Sequence, residues 1–367
     1  MTEIKHKVII IGSGPAGLTA GIYAGRANLD PLIAAGEVQA TQLPGGQLML
    51  TTEVENFPGF PEGVQGPELM NRMIEQAKRF GAEMIEEFAT GLKRNSDGSF
   101  EVKVGQETFR SHAVILAMGA NAKWLNAPGE EKYRNKGISA CATCDGPLPV
   151  FRNKEIYVVG GGDSAMEESL FLTKFAKQVT IVHRRNEFRA SKIMTQRVLS
   201  SPKIRVLWDS TISGYEGKDY LEAIKIKNLK TNRTETHSIG GLFMAIGHEP
   251  ATEFLKTGNL IELDSKGYVK IIDHVKTNVE GIFAAGDVHD THFRQAITAA
   301  GFGCMAAILC ERWLDEKGLH RISLCLRTVI SLRSSIKIIF SNYEACHNEG
   351  HSNEQLKTEL LTRCRFG

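Results

Sequence analysis

Two stretches of this chain repeat one grammar, and that repeat restricts the fold more than anything else in it. Each is an apolar β-branched run, a glycine turn, a helix-like run and a second apolar run. The first is KVIIIGSGPAGLTAGIYAGRANLDPLIAA, residues 7–35. Lys7–Ile11 reads as a strand, Gly12–Gly17 as the turn, Leu18–Asn28 as a helix and Asp30–Ala34 as the next strand. The second is KEIYVVGGGDSAMEESLFLTKFAKQVTIVHRR, residues 154–185. There Ile156–Val159 is the strand, Gly160–Ala165 the turn and Val179–His183 the following strand. A strand–turn–helix unit of this kind builds a doubly wound parallel sheet with a dinucleotide at the helix N-terminus. Two copies in 367 residues predict an α/β protein with two Rossmann-like nucleotide-binding domains.

The rest of the chain suggests how the two domains are threaded. FRSHAVILAMGANAKWL (109–125) reads as one buried strand ending at Met118-Gly119-Ala120. A similar element returns in GLFMAIGHEP (241–250). A third is GIFAAGDVHD (281–290), followed by a helix-like run over 293–314. The expected order is therefore a first domain over 1–120, a second inserted over 121–249, the first resumed over 250–319, and a tail of different character over 320–367.

The glycines and charges predict what each turn holds. Gly12 allows the tight turn, Gly14 lets a pyrophosphate approach and Gly17 lets helix pack on strand; the free N–H groups and the helix dipole favour phosphate. Glu37 lies at about the distance at which an acid holds a ribose, though past the strand end; the alternative is a solvated loop glutamate. The second turn carries Ala165 in the third glycine place. Its second strand ends not in an acid but in His183, Arg184 and Arg185, with Arg189 following. Guanidiniums bind a 2′-phosphate that an acid would repel, so this site should prefer NADP(H) to NAD(H).

Between the repeats lies SACATCDG, with Cys141 and Cys144 two residues apart and Asp145 after them. A zinc site needs about four ligands, and Cys304 and Cys310 are wrongly spaced for the rest, so no metal is expected. The chain begins MTEIKHKVIIIG, with no apolar segment before a cleavage site, and no apolar run reaches the roughly 18 residues of a membrane helix. The expected location is cytoplasmic, where the seven cysteines stay reduced and a purely structural disulfide is disfavoured. A net charge of +2 gives no reason to expect a nucleic-acid or membrane partner. What remains is a redox dithiol. Beside two dinucleotide sites it makes an electron path from a nicotinamide through a flavin to the pair. Asp145 is the candidate proton donor, against the simpler reading of a helix cap or turn aspartate.

These motifs carry a resemblance. GSGPAGLTAGIYAGRANL, GGQLMLTTEVENFPGF, SACATCDG, VVGGGDSAMEESLFLTK, HRRNEFRAS, GLFMAIGHEP and FAAGDVHDTHFRQAITAAGFGCMAA occur in the order found in the low-molecular-weight thioredoxin reductases. The chain resembles that family from about residue 6 to about residue 318, and the CxxC inside the second nucleotide domain is its mark. The resemblance implies FAD along Gly12, Ser13, Gly14, Pro15, Ala16 and Gly17, meeting Gly46, Gln47, Leu48, Asn56, Gly286, Asp287, Arg294, Gln295 and Ala296. It implies NADPH at Gly160, Gly162, Asp163, Ser164 and Ala165, with Arg184, Arg185 and Arg189 on the 2′-phosphate, and His183 and Ile246 among the cofactor contacts. Cys144 would face the flavin, Cys141 would attack the disulfide of thioredoxin, and Asp145 would be the acid and base. It further implies a homodimer whose NADPH domain rotates about crossings near Asn121–Leu125 and Gly247–Ala251. Three features depart from the family's pattern: a longer loop over 34–47, Met118 in place of threonine, and the tail, whose Cys325, Cys346 and Cys364 are too widely spaced for a second redox centre.

Overall fold

The computed structural model describes residues 4–37, 44–51 and 53–320. The chain divides into two compact units, Met1–Glu316 and Lys317–Gly367. Part of the long loop, residues 38–43, lies outside the described residues, as do Cys325, Cys346, Cys364 and the expected tail beyond His320.

Strand β1 (Val8–Ile11) is buried along its whole length, which is why it reads as an unbroken apolar run. Gly12 follows at φ +107°, where a Cβ would overlap the Ala117 carbonyl. Helix α1 (Pro15–Arg26) starts three residues earlier than its apolar spacing suggests, because Pro15 is already set for the first helical position. Asn28 and Asp30 sit at φ +54° and +47°, so strand β2 begins only at Leu32 and ends at Ala34. Helix α2 (Gly66–Arg79) and strand β3 (Glu83–Ile85) follow.

The expected single strand over 109–125 is a correction. Glu107–Ser111 belongs to a three-stranded antiparallel sheet with Ala89–Arg94 and Phe100–Val104. Strand β4 (Ala113–Leu116) pairs with β1 instead, Val8 opposite Ala113. The chain then leaves the sheet through Gly119 at φ +70° and forms strand β5 (Ala120–Ala122) elsewhere. Three sheets share a segment whose apolar composition is continuous, so composition alone does not mark the breaks.

Strand β6 (Ile138–Ser139), helix α3 (Ala142–Asp145), strand β7 (Glu155–Gly160), helix α4 (Asp163–Leu172), and strands β8 (Gln178–Val182), β9 (Ile204–Leu207) and β10 (Gly241–Ala245) build a second parallel sheet. Its order is β6-β10-β7-β8-β9. Strand β11 (His248–Pro250) leaves it and pairs antiparallel with β5, Ala122 opposite His248. Strand β12 (Ile282–Ala284) then returns to the first sheet, whose order is β12-β4-β1-β2-β3. The β5–β11 ribbon is thus where the chain leaves the first sheet for the second and comes back. Separate apolar clusters cover the faces of each sheet, with Ile10, Leu18 and Ile115 in one and Val158, Met166 and Phe243 in another.

Helix α5 (Ala296–Glu316) lies on α1, and a Cβ at Gly303 would overlap the Ala16 carbonyl, so the two helices meet backbone to backbone. It begins later than expected because the Asp290 carboxylate accepts the N–H groups of His292, Phe293 and Arg294, and Arg294 sits at φ +50°. By length and composition α5 could cross a bilayer, which corrects the expectation that no run is long enough; 39% of its most apolar window is buried. Phe293 before the helix, and Ile297 and Met305 on it, are exposed.

Candidate redox and dinucleotide sites

At the first turn Gly14 is extended, and α1 carries no side-chain N-cap. A Cβ at Gly14 would meet nothing, so the N–H groups of the first helical turn face open space. Ser13 points inward. Its hydroxyl donates to the Ala35 carbonyl at 2.7 Å and accepts the Gly45 N–H at 2.8 Å, which ties the turn to the next loop. That loop brings Gly46 up to Gly14: a Cβ at Gly46 would lie 3.3 Å from the Gly14 Cα. From the far end of the chain Gly286 packs on Ala16. Asp287 follows it, with Oδ1 buried and unpartnered, and burial, aided by Asp290, pushes its carboxyl up to about 7. Asn56 donates to the Gln295 amide oxygen at 3.2 Å. Gln47 turns toward Asn121, 2.9 Å away, and Leu48 packs against the α1 side of the core. Contacts therefore draw Gly46 and Gly286 onto residues 12–17 and, separately, link Asn56 to Gln295. An uncapped helix N-terminus and a buried acceptor without a partner fit a dinucleotide with its pyrophosphate and sugar hydroxyls. Glu37 is half-buried beyond the end of β2.

At the second turn α4 also lacks a side-chain N-cap. Gly160 touches Ala165 and Ala245, so β7, β10 and α4 converge there. Asp163 faces away from the turn and accepts the Ser191 N–H at 2.8 Å, a bond that lowers its carboxyl, while Ser164 is exposed. Arg184, Arg185 and Arg189 are exposed, and the Arg189 N–H donates to the Gly161 carbonyl at 2.8 Å. The basic loop is thereby folded back onto the turn. His183 is buried between Phe188 and Trp208, with its ring nitrogens 2.9 Å from the carbonyls of Gly160 and Glu187. It braces turn and loop from beneath, and the arginines present the charge. Ile246 is half-buried at the end of β10.

Cys141 and Cys144 form a disulfide, with Cα atoms 5.3 Å apart, on the single turn of α3. The Cys141 N–H donates to the Ser139 hydroxyl at 3.0 Å, and the Cys144 N–H to the Cys141 Sγ at 3.3 Å. Burial raises the Asp145 carboxyl, and a hydrogen bond with Ser139 partly offsets that. Thr143, at the exposed tip of the turn, accepts the Gln295 Nε2 at 3.2 Å, so the disulfide turn rests against the segment just before α5. Arg294, one residue earlier, donates to His248 Nδ1 at 3.2 Å and to the Tyr268 hydroxyl at 3.4 Å. Burial, then Arg294, holds His248 neutral, down at about 4. Sequence reasoning missed His248, Tyr268 and Glu168 as members of this cluster, although His248 lies in GLFMAIGHEP and Glu168 in the second glycine unit. Among the described residues no group of three or more His, Cys, Asp or Glu side chains could hold a metal ion.

A family profile for pyridine nucleotide-disulphide oxidoreductases matches residues 6–303. The chain is 51% identical over 317 residues to the thioredoxin reductase of Mycolicibacterium smegmatis, which covers 86% of this chain and 99% of that one. The chain belongs to this family, and within it to the thioredoxin reductases. Among solved structures, a thioredoxin reductase from Giardia duodenalis matches with a TM-score of 0.78 at 43% identity, covering 84% of this chain and 98% of that one. One from Lactococcus lactis, titled as the FR conformation, is 41% identical over 85% of this chain and 100% of its own, yet its TM-score is 0.57. The likeness in shape falls while the likeness in sequence hardly changes.

Proposed function

We propose that this protein is an NADPH-dependent flavoprotein that reduces the disulfide of thioredoxin through Cys141 and Cys144. The observation that carries the reading is the contact of the Cys141–Cys144 turn with Gln295, in the segment just before α5. FAD, when bound there, supplies two-electron carriage between a nicotinamide and a disulfide. Gly12–Gly17, Gly46, Gln47, Leu48, Asn56, Asp287 and Arg294–Ala296 hold it. Gly160–Ala165 with Arg184, Arg185 and Arg189 hold NADPH, the arginines on its 2′-phosphate.

In the outward half-reaction, the Cys141 thiolate attacks one sulfur of the thioredoxin disulfide and releases the other as a thiol. Cys144 then attacks the mixed disulfide, so two electrons leave this chain and its own disulfide forms again. Asp145, whose burial makes it a stronger proton holder than a solvated aspartate, supplies and receives the proton.

The domains divide as 1–120 with 250–319, and 121–249, joined by the β5–β11 ribbon. Rotation about that ribbon exposes the dithiol. The lower TM-score of an equally similar relative supports a change of this kind, as do the few hydrogen bonds across the division, among them Asn135 to the Leu50 carbonyl. The exposed apolar side of α5, with Tyr23 and Met305, is the homodimer face. The protein works in the cytoplasm, where thioredoxins keep thiols reduced.

The test is NADPH oxidation by the purified protein with and without oxidised thioredoxin, with NADH as control. Thioredoxin-dependent, NADPH-selective turnover is expected. Flavin reduction without turnover on thioredoxin would overturn the acceptor and leave the two nucleotide sites standing.

A further inference from the structure

Below the redox turn lies a half-buried acid with no part in that reaction. Glu168 sits on α4, which packs against α3. Its carboxylate faces the N–H of Ala142, the residue directly after Cys141. Its Oε2 is buried without a hydrogen-bond partner. The charged groups that act on it are Arg294, which favours the carboxylate, and its neighbour Glu167, which opposes it. Arg294 comes from the segment before α5 and is itself held by Asp290, Tyr268 and His248.

The geometry points to Glu168 as a positioning residue for the Cys141–Cys144 pair: its carboxylate holds α3 through the Ala142 N–H, and its charge restrains the Cys141 thiolate. This rests on the reading of that pair as the redox centre.

Helix α3 is a single turn and cannot hold its own shape, since a four-residue helix has almost no internal hydrogen bonds. Its N-terminal end is fixed by Ser139 at Cys141 and by Glu168 at Ala142. A carboxylate set against the peptide unit that follows Cys141 also disfavours its thiolate by like-charge repulsion. Burial pushes the Glu168 carboxyl up to about 7, so its charge changes in the neutral range. As pH rises through that range, Glu168 ionises and opposes ionisation of Cys141. The thiol then gains reactivity less steeply than a free thiol would.

The experiment labels the full-length flavoprotein reduced with dithiothreitol, so the labelling itself depends on neither thioredoxin nor NADPH. Iodoacetamide labelling of Cys141 is followed by peptide mass spectrometry from about pH 6 to 9 in wild type, Glu168→Gln and Glu168→Ala. One unit of thiol shift is about a tenfold change in thiolate. Glu168→Gln should label about three- to tenfold faster at pH 7.5, with a single-step profile. Gln can still accept the Ala142 N–H and Ala cannot, so turnover with thioredoxin should fall in Glu168→Ala and be largely restored in Glu168→Gln, with KM for NADPH unchanged in both. A Glu168→Gln profile superimposed on wild type would overturn the inference. So would equal turnover losses in the two variants. Failure of the underlying reading shows separately, in wild type, as no gain of two thiols when NADPH is added.

Discussion

Gln295 donates through its side-chain amide to the Thr143 hydroxyl, 3.2 Å away, and accepts from Asn56 with the same amide group. One side chain thus joins the disulfide turn to Asn56. The contact is exposed and single, which suits a surface that must separate in every cycle. Thr143→Ala removes it, together with the 3.4 Å contact of the same hydroxyl with the Cys141 Sγ. A net hydrogen bond of about 1 kcal/mol corresponds to roughly a fivefold change in an equilibrium. The ratio of docked to undocked protein should fall by about that factor. Flavin fluorescence of the oxidised protein reports it, and an unchanged spectrum would remove the contact from the docking surface.

Cys144→Ser should abolish thioredoxin reduction and leave FAD bound at full stoichiometry. The glycine turn, Asp287 and Gln295 stand apart from the sulfur, so binding does not need it. Turnover assays with the absorbance ratio of flavin to protein check both halves. Normal turnover would remove Cys144 from the electron path.

Arg184→Ala with Arg185→Ala should raise KM for NADPH at least tenfold and leave KM for NADH within about twofold. Both guanidiniums are exposed on a loop that Arg189 and His183 fold back onto the second glycine turn. Charge-assisted hydrogen bonds to a phosphate are the strong ones, and NADH offers no 2′-phosphate for them. Steady-state kinetics with both nucleotides decide it, and equal effects would mean the loop serves the turn and not the phosphate.

The parts of this fold that can be read from sequence are those fixed by local chemistry. β1, and β7 from Ile156 onward, are buried parallel strands and so read as apolar runs, and the glycine turns after them are required by close backbone packing. The segment 109–125 resists reading because its three pieces are separated by which strand each one meets, not by composition. The start of α5 is hidden for a similar reason, since the Asp290 cap and the backbone of Arg294 are tertiary in effect. His183 stands in a motif with the arginines, yet its ring lies underneath them. Glu168 is invisible as a partner of Cys141 until α4 and α3 are brought together.

Met305→Glu should convert a homodimer to a monomer. Met305 is exposed on an apolar helix whose other side is packed on α1, and Tyr23 is exposed on α1 itself. A carboxylate buried in a dimer interface without a partner would cost several kcal/mol. Light scattering gives the mass directly. A wild-type monomer would remove the dimer, and a variant dimer would move the interface elsewhere.

His289 is packed edge-on against Phe302 at 4.5 Å, and its Nε2 is buried without a partner. Burial brings it down to about 4, below the ordinary value near 6.5, as it does His248. A group with a depressed folded-state pKa contributes stability above its unfolded value, and that stability is lost as pH falls toward the folded value. The window for these histidines is therefore about pH 6.5 down to 4. Asp287 and Glu168 act oppositely, because both are raised to about 7. Their contribution is complete below the ordinary carboxylate values and is lost as pH rises through 7. The two effects offset each other in the wild-type chain between pH 4 and 6.5. His289→Leu removes one histidine from that balance. Whatever its stability relative to wild type at pH 7.5, the difference should move in favour of the variant by on the order of 2–3 kcal/mol by pH 4. Urea unfolding at both pH values measures the shift. A constant difference would mean that His289 takes up its proton in the folded protein as easily as in the unfolded chain.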